Sequence, residues 1–345
     1  MDRAIRRMWM SAACVFILLM GTLSYIQFFD AQMLMEHKWN TRALYDNYGS
    51  QRGSIVVNGT EIASSVKSND EYNYQRVYSE PEKYAGITGY FSLVYGSTGI
   101  KSALDKELSG TSDSQFYDRV AQLFSGNSTR GASVELTVDD KLQTLAYQLL
   151  QGRKGSIVAM NPKTGEILAM ASSPSYDPHK LAAHSEQSVI ADYTKLTQDQ
   201  QSPLFNRAIA GNTYSPGSTF KIIDAVAALE SGKYDEKSVI DNPAQLPLPG
   251  TNVTLPNFVN GQCATRTQAT IEWALAQSCN TPFANIALDL GQEKISQTAS
   301  KFGYGQDLSI PLKVTKSDFP SDMTKSQLAQ ASVGQYLALI HIPEP

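Results

Sequence analysis

The fold of this chain is decided by the stretch Ser215-Pro216-Gly217-Ser218-Thr219-Phe220-Lys221. A Pro-Gly pair breaks the chain before Ser218, and an apolar helical pattern begins directly after this stretch. If a helix begins at Ser218, the i, i+3 spacing places Lys221 on the same face, within hydrogen-bond reach of the hydroxyl. A serine hydroxyl needs an adjacent base, and a lysine is a base only when burial lowers its pKa. The pattern predicts an active serine at Ser218 with Lys221 as its base.

The Ser-x-x-Lys spacing alone is weak evidence, because the chain contains a second copy. Ser64-Ser65-Val66-Lys67 has the same spacing but lies in polar sequence without helical periodicity. We interpret this copy as an exposed loop that follows a strand. The alternative for Ser218 is a helix-capping serine beside a lysine that reaches solvent.

The expected partner of the serine is the triplet Ser278-Cys279-Asn280, which follows the apolar pattern Ile271–Leu275. Thr281-Pro282 comes next and predicts an N-cap and the first residue of another helix. The triplet is therefore expected on a tight loop between two helices. There Ser278 would relay a proton to a leaving amine, while Asn280 holds a substrate amide and orients Lys221.

The residues before this site predict strands. Two apolar segments, Gly155–Met160 and Glu166–Met170, flank the turn Asn161–Gly165 and predict an antiparallel hairpin. Because both segments are continuously apolar, we expect both faces of each strand to be covered. Helical patterns take over from Phe220 onward, so the second half is expected to be a mixed α/β or α+β domain.

The first half predicts an irregular module that contains β-structure. Asn58-Gly59 is a strong hairpin signal, and a strand is expected at Val134–Val138. A helix is expected over Lys141–Leu150, with Asp139 or Asp140 as its N-cap. Its core face is predicted from the apolar spacing as Leu142, Leu145, Ala146 and Leu149. The triplet Ser125-Gly126-Asn127 is interpreted as a turn.

The N-terminus predicts a membrane anchor. Arg3, Arg6 and Arg7 precede the segment Met8–Phe29, which carries no charge and is long enough to cross a bilayer as a helix. A buried helix and a cleaved signal peptide are the alternatives, but the apolar stretch exceeds a signal's core and no Ala-x-Ala site follows. The arginines place the N-terminus in the cytoplasm and the rest of the chain outside the membrane.

Composition excludes other classes of function. The 345 residues carry a formal net charge of -4, which gives no electrostatic footprint for nucleic acid.

Cys14 lies in the predicted span, whereas Cys263 and Cys279 would lie outside, where a disulfide can persist. A Cys263–Cys279 bridge is one hypothesis, and two free thiols are the other. Neither cysteine lies in a Cys-x-x-Cys pair, so a zinc site is not expected.

The sequence resembles the class B penicillin-binding proteins, and in detail most the penicillin-binding protein A type of actinobacteria. The resemblance is spread along the whole chain. It is carried by the anchor, Arg52-Gly53-Ser54-Ile55, Tyr84–Ser92, Tyr95–Ile100, Asn161–Met170, Pro203–Ala208, Tyr214–Lys221 and Ala276–Thr281.

The resemblance implies a peptidoglycan D,D-transpeptidase with a penicillin-binding transpeptidase, or serine β-lactamase-like, fold. Ser218 would attack the D-Ala-D-Ala bond of a stem peptide, and β-lactams would acylate the same hydroxyl. Thr219 and Cys279, which lie within the two motifs, and Thr281, which follows the second motif, are expected to contact substrate. No metal or cofactor is implied, and partners are expected among cell-wall synthesis or division proteins.

The expected domains follow from the same comparison of motifs and composition. They are a cytoplasmic tail over 1–7, an anchor over 8–29, a pedestal or dimerisation-like module over 30–150, and a transpeptidase domain over 151–345.

The chain departs from the family in one element. The family's Lys-Thr-Gly or Lys-Ser-Gly strand follows the Ser-x-Asn motif, but residues 281–345 contain neither triplet. Lys163-Thr164-Gly165 has the sequence of the family's triplet but lies in the predicted turn Asn161–Gly165, before Ser218. We therefore expect a C-terminally truncated transpeptidase domain with impaired activity, because losing one oxyanion donor costs about 100- to 1,000-fold in rate.

Two other functions fit parts of the sequence. A β-lactamase or β-lactam sensor would use the same serine and lysine, but the former would have a cleavable signal and the latter several spans. A membrane-anchored scaffold of the division or elongation machinery would contact partners through residues 31–150.

Overall fold

The computed structural model describes residues 2–35, 48–115, 130–211 and 213–335. The chain forms two compact units, Met1–Leu204 and Phe205–Pro345. The predicted boundary at residue 150 differs from this division and remains a prediction. The turn predicted at Ser125-Gly126-Asn127 lies outside the described residues.

The N-terminal segment is helical. Helix α1 covers Asp2–Tyr25, a π-helical turn covers Ile26–Asp30, and α2 covers Ala31–Met35. Within the described residues, Ile5–Asp30 is the one segment long and apolar enough to cross a membrane. Its apolar side chains are exposed within the unit, as Phe28 at 85% illustrates, because no protein core covers them. The predicted span Met8–Phe29 falls inside this segment.

A four-stranded sheet forms the centre of the following module, in the order β3-β2-β1-β6. The strands are β1 (Ile55–Val57), β2 (Thr60–Lys67), β3 (Tyr74–Tyr78) and β6 (Val134–Glu135). Strands β1, β2 and β3 pair antiparallel, whereas β6 pairs parallel to β1. The hairpin predicted at Asn58-Gly59 is confirmed, with φ values of 47° and 74° at the two turn residues. The strand predicted over Val134–Val138 is shorter than expected.

The second Ser-x-x-Lys copy is not the exposed loop that its sequence suggested. Ser64 pairs with Val77, and Lys67 pairs with Tyr74, so both lie in the β2–β3 ladder. The prediction was wrong because the tyrosine-rich partner strand carries no clear alternation of apolar and polar residues. Residues three apart on a strand point to opposite faces. Lys67 is therefore on the wrong face to act as a base for Ser64.

Short elements complete this part of the first unit. They are α3 (Pro81–Thr88), β4 (Phe91–Ser92), β5 (Gly96–Ser97), α4 (Ile100–Ala103), α5 (Asp105–Ser109) and a 3-10 turn at Asp113–Gln115. Strands β4 and β5 pair antiparallel. The Lys83 ammonium donates to Asp140 Oδ1 at 2.7 Å and the Tyr84 hydroxyl donates to it at 2.5 Å, which ties α3 to the start of the helix that begins at Asp140.

Helix α6 (Asp140–Leu150) packs on an antiparallel hairpin of β7 (Gly155–Met160) and β8 (Ile167–Ser173), and α7 (Glu186–Gln198) follows. The Asp139 carboxylate accepts from the Leu142 N–H at 2.9 Å and is the N-cap. The turn predicted between the two strands is confirmed. Lys163-Thr164-Gly165 lies in that turn and belongs to neither strand.

The predicted core face of α6 was wrong for three of its four residues. Leu142, Leu145 and Leu149 are 39%, 53% and 58% exposed, and the helix buries Gln143, Ala146 and Leu150 instead. The apolar periodicity predicted the wrong buried face because it assumes that a polar side chain points to solvent. The Gln143 side chain is buried instead, and its amide donates to Lys83 O and Met170 O.

The expectation that both faces of the hairpin are covered was also wrong for β7. Exposure alternates along this strand, and Val158 and Met160 are 49% and 58% exposed. An apolar run therefore did not indicate burial on both faces here.

The second unit is a cluster of helices with two small antiparallel ribbons, as the patterns after Phe220 predicted. Its helices are α8 (Lys221–Glu230), α9 (Ile271–Ala276), α10 (Thr281–Leu290), α11 (Gln292–Lys301) and α12 (Lys325–Ala331). Its strands are β9 (Val239–Asp241), β10 (Gln245–Pro247), β11 (Thr254–Pro256) and β12 (Gln268–Thr270), paired as β10–β11 and β9–β12. Two 3-10 turns, Gly217–Phe220 and Gln262–Thr265, precede α8 and β12.

Helix α8 lies between two apolar clusters. Ile223 and Ala227 pack in one cluster with Ile295 of α11, whereas Ala225 and Ala228 pack in another around Phe283 of α10. Because both sides of α8 are covered, its first residue is drawn into the interior of the unit. This packing is what buries the lysine of the Ser-x-x-Lys motif.

Candidate active site

The serine and lysine of the motif are in contact. Ser218 lies in the 3-10 turn and is exposed, whereas Lys221 begins α8 with a relative exposure of 0%. The distance between Lys221 Nζ and Ser218 Oγ is 3.1 Å. The predicted α-helix start at Ser218 is three residues too early. The contact forms all the same, because side chains at i and i+3 eclipse in a 3-10 turn.

The other contacts of Lys221 come from the loop between α9 and α10. Nζ lies 2.7 Å from Ser278 O, 2.7 Å from Asn280 Oδ1 and 3.2 Å from Ser278 Oγ. The two shortest contacts are to atoms that only accept hydrogen bonds. A neutral amine has two N–H groups for those acceptors, and its lone pair then remains for the Ser218 hydroxyl. The arrangement therefore suits a lysine that accepts the serine proton.

The orientation of the Asn280 amide is fixed from its other end. Asn280 Nδ2 donates to Pro256 O, at the end of β11, at 2.8 Å. Since the amide nitrogen takes this carbonyl, the amide oxygen has to face Lys221. One hydrogen of Nδ2 remains for a further acceptor.

A buried asparagine supports the backbone of this loop. Asn257 is 2% exposed, and its Oδ1 accepts from the N–H groups of Asn280 at 2.7 Å and Thr281 at 3.2 Å. Its Nδ2 donates to Asn242 Oδ1 at 2.7 Å and to Thr281 Oγ1 at 2.9 Å. The network is closed by Asn242 Nδ2, which donates to Cys263 O at 2.8 Å. These side chains set the position of the Asn280 backbone.

A disulfide between Cys263 and Cys279 holds the same loop on its other side. The pairing agrees with the bridge hypothesis. Cys279 is 1% exposed and Thr281 is 0% exposed, so the side chains of both residues lie beneath the loop. Thr281 is also not the N-cap that the sequence suggested. It is the first residue of α10, and Asn280 precedes it without a side-chain cap.

Two exposed residues complete the description of the predicted site. Thr219 lies next to the serine, and its hydroxyl donates to Pro216 O at 2.6 Å. Ser278 has a φ of 57°, in the left-handed region that favours glycine. This conformation lets both its carbonyl and its hydroxyl lie near Lys221 Nζ. The strain is thus located at the residue whose two oxygens contact the lysine.

The electrostatics of the site follow from burial. Burial lowers the pKa of Lys221 to about 8, and the nearby Asp224 carboxyl acts in the opposite direction. Burial also raises the pKa of Asp224 well above its usual range. A lysine with a pKa of about 8 is a free amine in a useful fraction of molecules near neutral pH. Among the described residues, no group of three or more His, Cys, Asp or Glu side chains is placed to hold a metal.

Comparison with known proteins identifies the family of this site. Residues 155–339 match the penicillin-binding protein transpeptidase domain. The chain belongs to the penicillin-binding protein transpeptidases. Residues 52–134 match the penicillin-binding protein A dimerisation domain, so the module before the transpeptidase domain is also of this family. The predicted class B assignment and fold class are confirmed.

Penicillin-binding protein A of mycobacteria is similar over most of its length. The chain is 38% identical to the peptidoglycan D,D-transpeptidase PbpA of Mycolicibacterium smegmatis, over 97% of the chain and 69% of that relative. The crystal structure of PBPA from Mycobacterium tuberculosis superposes with a TM-score of 0.80 at 36% identity, covering 85% of the chain and 68% of that structure. Its imipenem acyl-enzyme complex superposes with a TM-score of 0.79, also at 36% identity, covering 84% and 68%.

Sequence reasoning missed several residues of the penicillin-binding protein site. Asn242 and Asn257 lie far from the motifs along the chain, and polar residues near turns do not predict a buried network. Gly334 was also missed as part of the site. Its carbonyl accepts from the Gly217 N–H at 3.2 Å and from the Ser215 hydroxyl.

Proposed function

We propose that this chain is a peptidoglycan D,D-transpeptidase that works through an acyl-enzyme on Ser218. The observation that carries the proposal is the set of contacts around Lys221 Nζ. Two acceptors at 2.7 Å suit its N–H groups, and the hydroxyls of Ser218 and Ser278 lie at 3.1 Å and 3.2 Å from the same nitrogen. This geometry supports a general base for the attacking oxygen.

The first half of the reaction transfers the acyl group to the enzyme. Ser218 Oγ attacks the carbonyl carbon between the two D-Ala residues of a stem peptide while Lys221 takes the hydroxyl proton. The peptide C–N bond then breaks, and the last D-Ala leaves after it receives a proton. Ser278 Oγ, at 3.2 Å from Lys221 Nζ, is placed to pass that proton from the lysine to the leaving amine.

The second half of the reaction releases the acyl group and regenerates the free enzyme. An amine of a neighbouring stem peptide loses a proton to Lys221 and attacks the ester carbonyl, and Ser218 Oγ leaves with a proton. The new amide bond is the cross-link. The free hydrogen of Asn280 Nδ2 would donate to a substrate amide carbonyl during both halves.

β-Lactams are expected to acylate the same hydroxyl. They mimic the D-Ala-D-Ala end, and their strained amide opens when Ser218 Oγ attacks. The imipenem and penicillin G acyl-enzymes of M. tuberculosis penicillin-binding protein A support this expectation.

The location proposed for the chain is the cell membrane. Penicillin-binding proteins of this kind are membrane-anchored, and Ile5–Asp30 is a candidate span. Arg3, Arg6 and Arg7 support an N-terminus in the cytoplasm, with the rest of the chain outside. The match of residues 52–134 to a dimerisation domain supports a role of this module in protein–protein contacts.

The proposal is tested by incubating the full chain, in detergent, with penicillin G and measuring its mass. We expect a mass increase of one penicillin, located by peptide mapping on the peptide that contains Ser218. Ser218→Ala should abolish the adduct, and Ser64→Ala, in the second Ser-x-x-Lys copy, should leave it unchanged. An unlabelled wild-type chain, or an adduct that survives Ser218→Ala, would overturn the proposal.

A further inference from the structure

One buried acid of the second unit has no part in the chemistry described above. Asp224 lies three residues after Lys221 in the first turn of α8, with a relative exposure of 0%. Neither of its carboxyl oxygens has a hydrogen-bond partner among the described residues. Buried polar atoms are normally paired, and a carboxylate without any compensation is very costly to bury. Some other interaction must therefore compensate the burial of this carboxyl group.

The position of Asp224 relates it to one other group. Side chains three residues apart on a helix are neighbours on one face, so Asp224 and Lys221 share the same side of α8. Burial raises the pKa of the Asp224 carboxyl well above its usual range, and the nearby Lys221 ammonium acts in the opposite direction.

The helices packed on α8 carry other charged side chains, which have partners elsewhere or lie toward the surface. They are Glu272 of α9, Asp289 of α10, and Glu293, Lys294 and Lys301 of α11. Asp289 accepts from the Tyr234 hydroxyl, Glu293 accepts from Gln297, and Lys301 donates to Glu230.

We propose that Asp224 is a positioning residue for the base, and that Asp224 and Lys221 hold one proton between them when the site is ready to react. With the proton on the carboxyl group, Lys221 is a free amine. With the proton on the amine, the ammonium and the carboxylate carry opposite charges on the same side of α8. Both arrangements bury no net charge, which is why the interior of the unit tolerates them. The inference rests on the proposed role of Lys221.

The consequence concerns the strength of the base. Burial alone would make Lys221 a weak base, and the adjacent carboxyl group opposes this effect. Two groups that share a proton titrate together, so the fraction of free amine rises over a wider pH range than for one isolated group. If Asp224 is replaced by a neutral residue, only burial acts on the pKa of Lys221, and that pKa is lowered further.

The test is the pH dependence of acylation by a fluorescent penicillin, measured on the full chain in detergent. Asp224→Asn keeps the size of the side chain and removes the ionisable group. We expect the midpoint of the rise in rate to move to lower pH by on the order of one unit, and the rise to become that of a single ionisation. The ratio of the rate at pH 6 to the rate at pH 9 should then increase about tenfold.

A matched control is Asp289→Asn, which removes the same charge from an exposed side chain of α10 and should leave the midpoint in place. If Asp224→Asn does not fold, as judged by circular dichroism, Asp224→Ser replaces it. A variant with a lower melting temperature but the wild-type midpoint would overturn the proposal, because a merely structural residue has that effect.

A second measurement separates this proposal from the proposed function. The protein is labelled with ¹³C at lysine Cε, the Lys221 signal is assigned by its loss in Lys221→Met, and the signal is titrated. Asp224→Asn should lower the titration midpoint of that signal whether or not penicillin reacts. A chain that is never acylated refutes the function, whereas an unchanged Lys221 titration refutes the role of Asp224.

Discussion

The backbone of Gly334 lies directly against that of Gly217, the residue before Ser218. A methyl group at position 334 would come within 1.9 Å of Gly217 O, and the φ of Gly334 is 71°. Only glycine fits this contact. The segment after α12 therefore holds the turn that carries the nucleophile, although the two are far apart in sequence.

Gly334→Ala should displace the nucleophile turn. We expect the rate of acylation by penicillin to fall about 100-fold, since a shift of about 1 Å is enough for such a loss. The free energy of unfolding should fall by about 2 kcal/mol or more because the methyl group has no space. Gly250→Ala is the control, with a φ of 73° but no atom within 4 Å of the added carbon. Equal effects of the two substitutions on acylation would contradict the assigned role.

The rate of acylation should increase with pH. Lys221 acts as a base only when deprotonated, and burial lowers its pKa to about 8. About a tenth of the molecules then have a free amine at pH 7, so the rate should rise about tenfold from pH 7 to its plateau, more gradually than for a single ionisation because Lys221 and Asp224 titrate together. Lys221→Met should lower the plateau by about 100- to 10,000-fold. A rate that is independent of pH from 6 to 9 would argue against Lys221 as the base.

Asn280→Asp should move the pH dependence of penicillin acylation to higher pH. A carboxylate in place of the amide oxygen, 2.7 Å from Lys221 Nζ, favours the ammonium form and raises the pKa of Lys221. We expect the midpoint of the acylation profile to move up by about one to two units. Asn280→Ala removes the acceptor without adding charge and should lower the plateau without this upward shift. Identical profiles for the two variants would show that the amide oxygen does not act on the lysine.

Asn257→Ala should loosen the loop that carries Ser278 and Asn280. The substitution leaves the N–H groups of Asn280 and Thr281 without their acceptor, and each unsatisfied buried group costs about 1–3 kcal/mol. Thermal unfolding and penicillin acylation should both report the change. Asn285→Ala is the control, because its amide makes one exposed bond, to Asp241 O. We expect a smaller loss of stability there and normal acylation.

Local sequence predicted the chemistry of the site better than its architecture. A spacing of three residues was enough to bring Ser218 and Lys221 together, since any helical turn gives that contact. The hairpin at Asn58-Gly59 was likewise predictable from the φ values that the turn demands. The position of Ser278-Cys279-Asn280 between two predicted helices added Ser278 and Asn280, whose contacts with Lys221 span 57 and 59 positions in the chain.

The parts that escaped prediction depend on tertiary packing. Leu142, Leu145 and Leu149 have a core-like spacing, yet α6 buries its Gln143 face because the hairpin offers backbone partners there. The β2–β3 ladder was missed since Tyr74–Tyr78 has a mixed composition. Asp224 looks like an ordinary helix residue until its burial is known.

Ser278 adopts a backbone conformation that glycine would accept more easily, and its two oxygens both contact the lysine. A laboratory evolution experiment that rewards heat resistance alone would therefore favour Ser278→Gly, since it relieves the strain. The selected variants would be more stable but would lack the Ser278 hydroxyl in the active site. Any attempt to increase the thermal stability of this protein by selection should therefore also test each round of variants for acylation by penicillin.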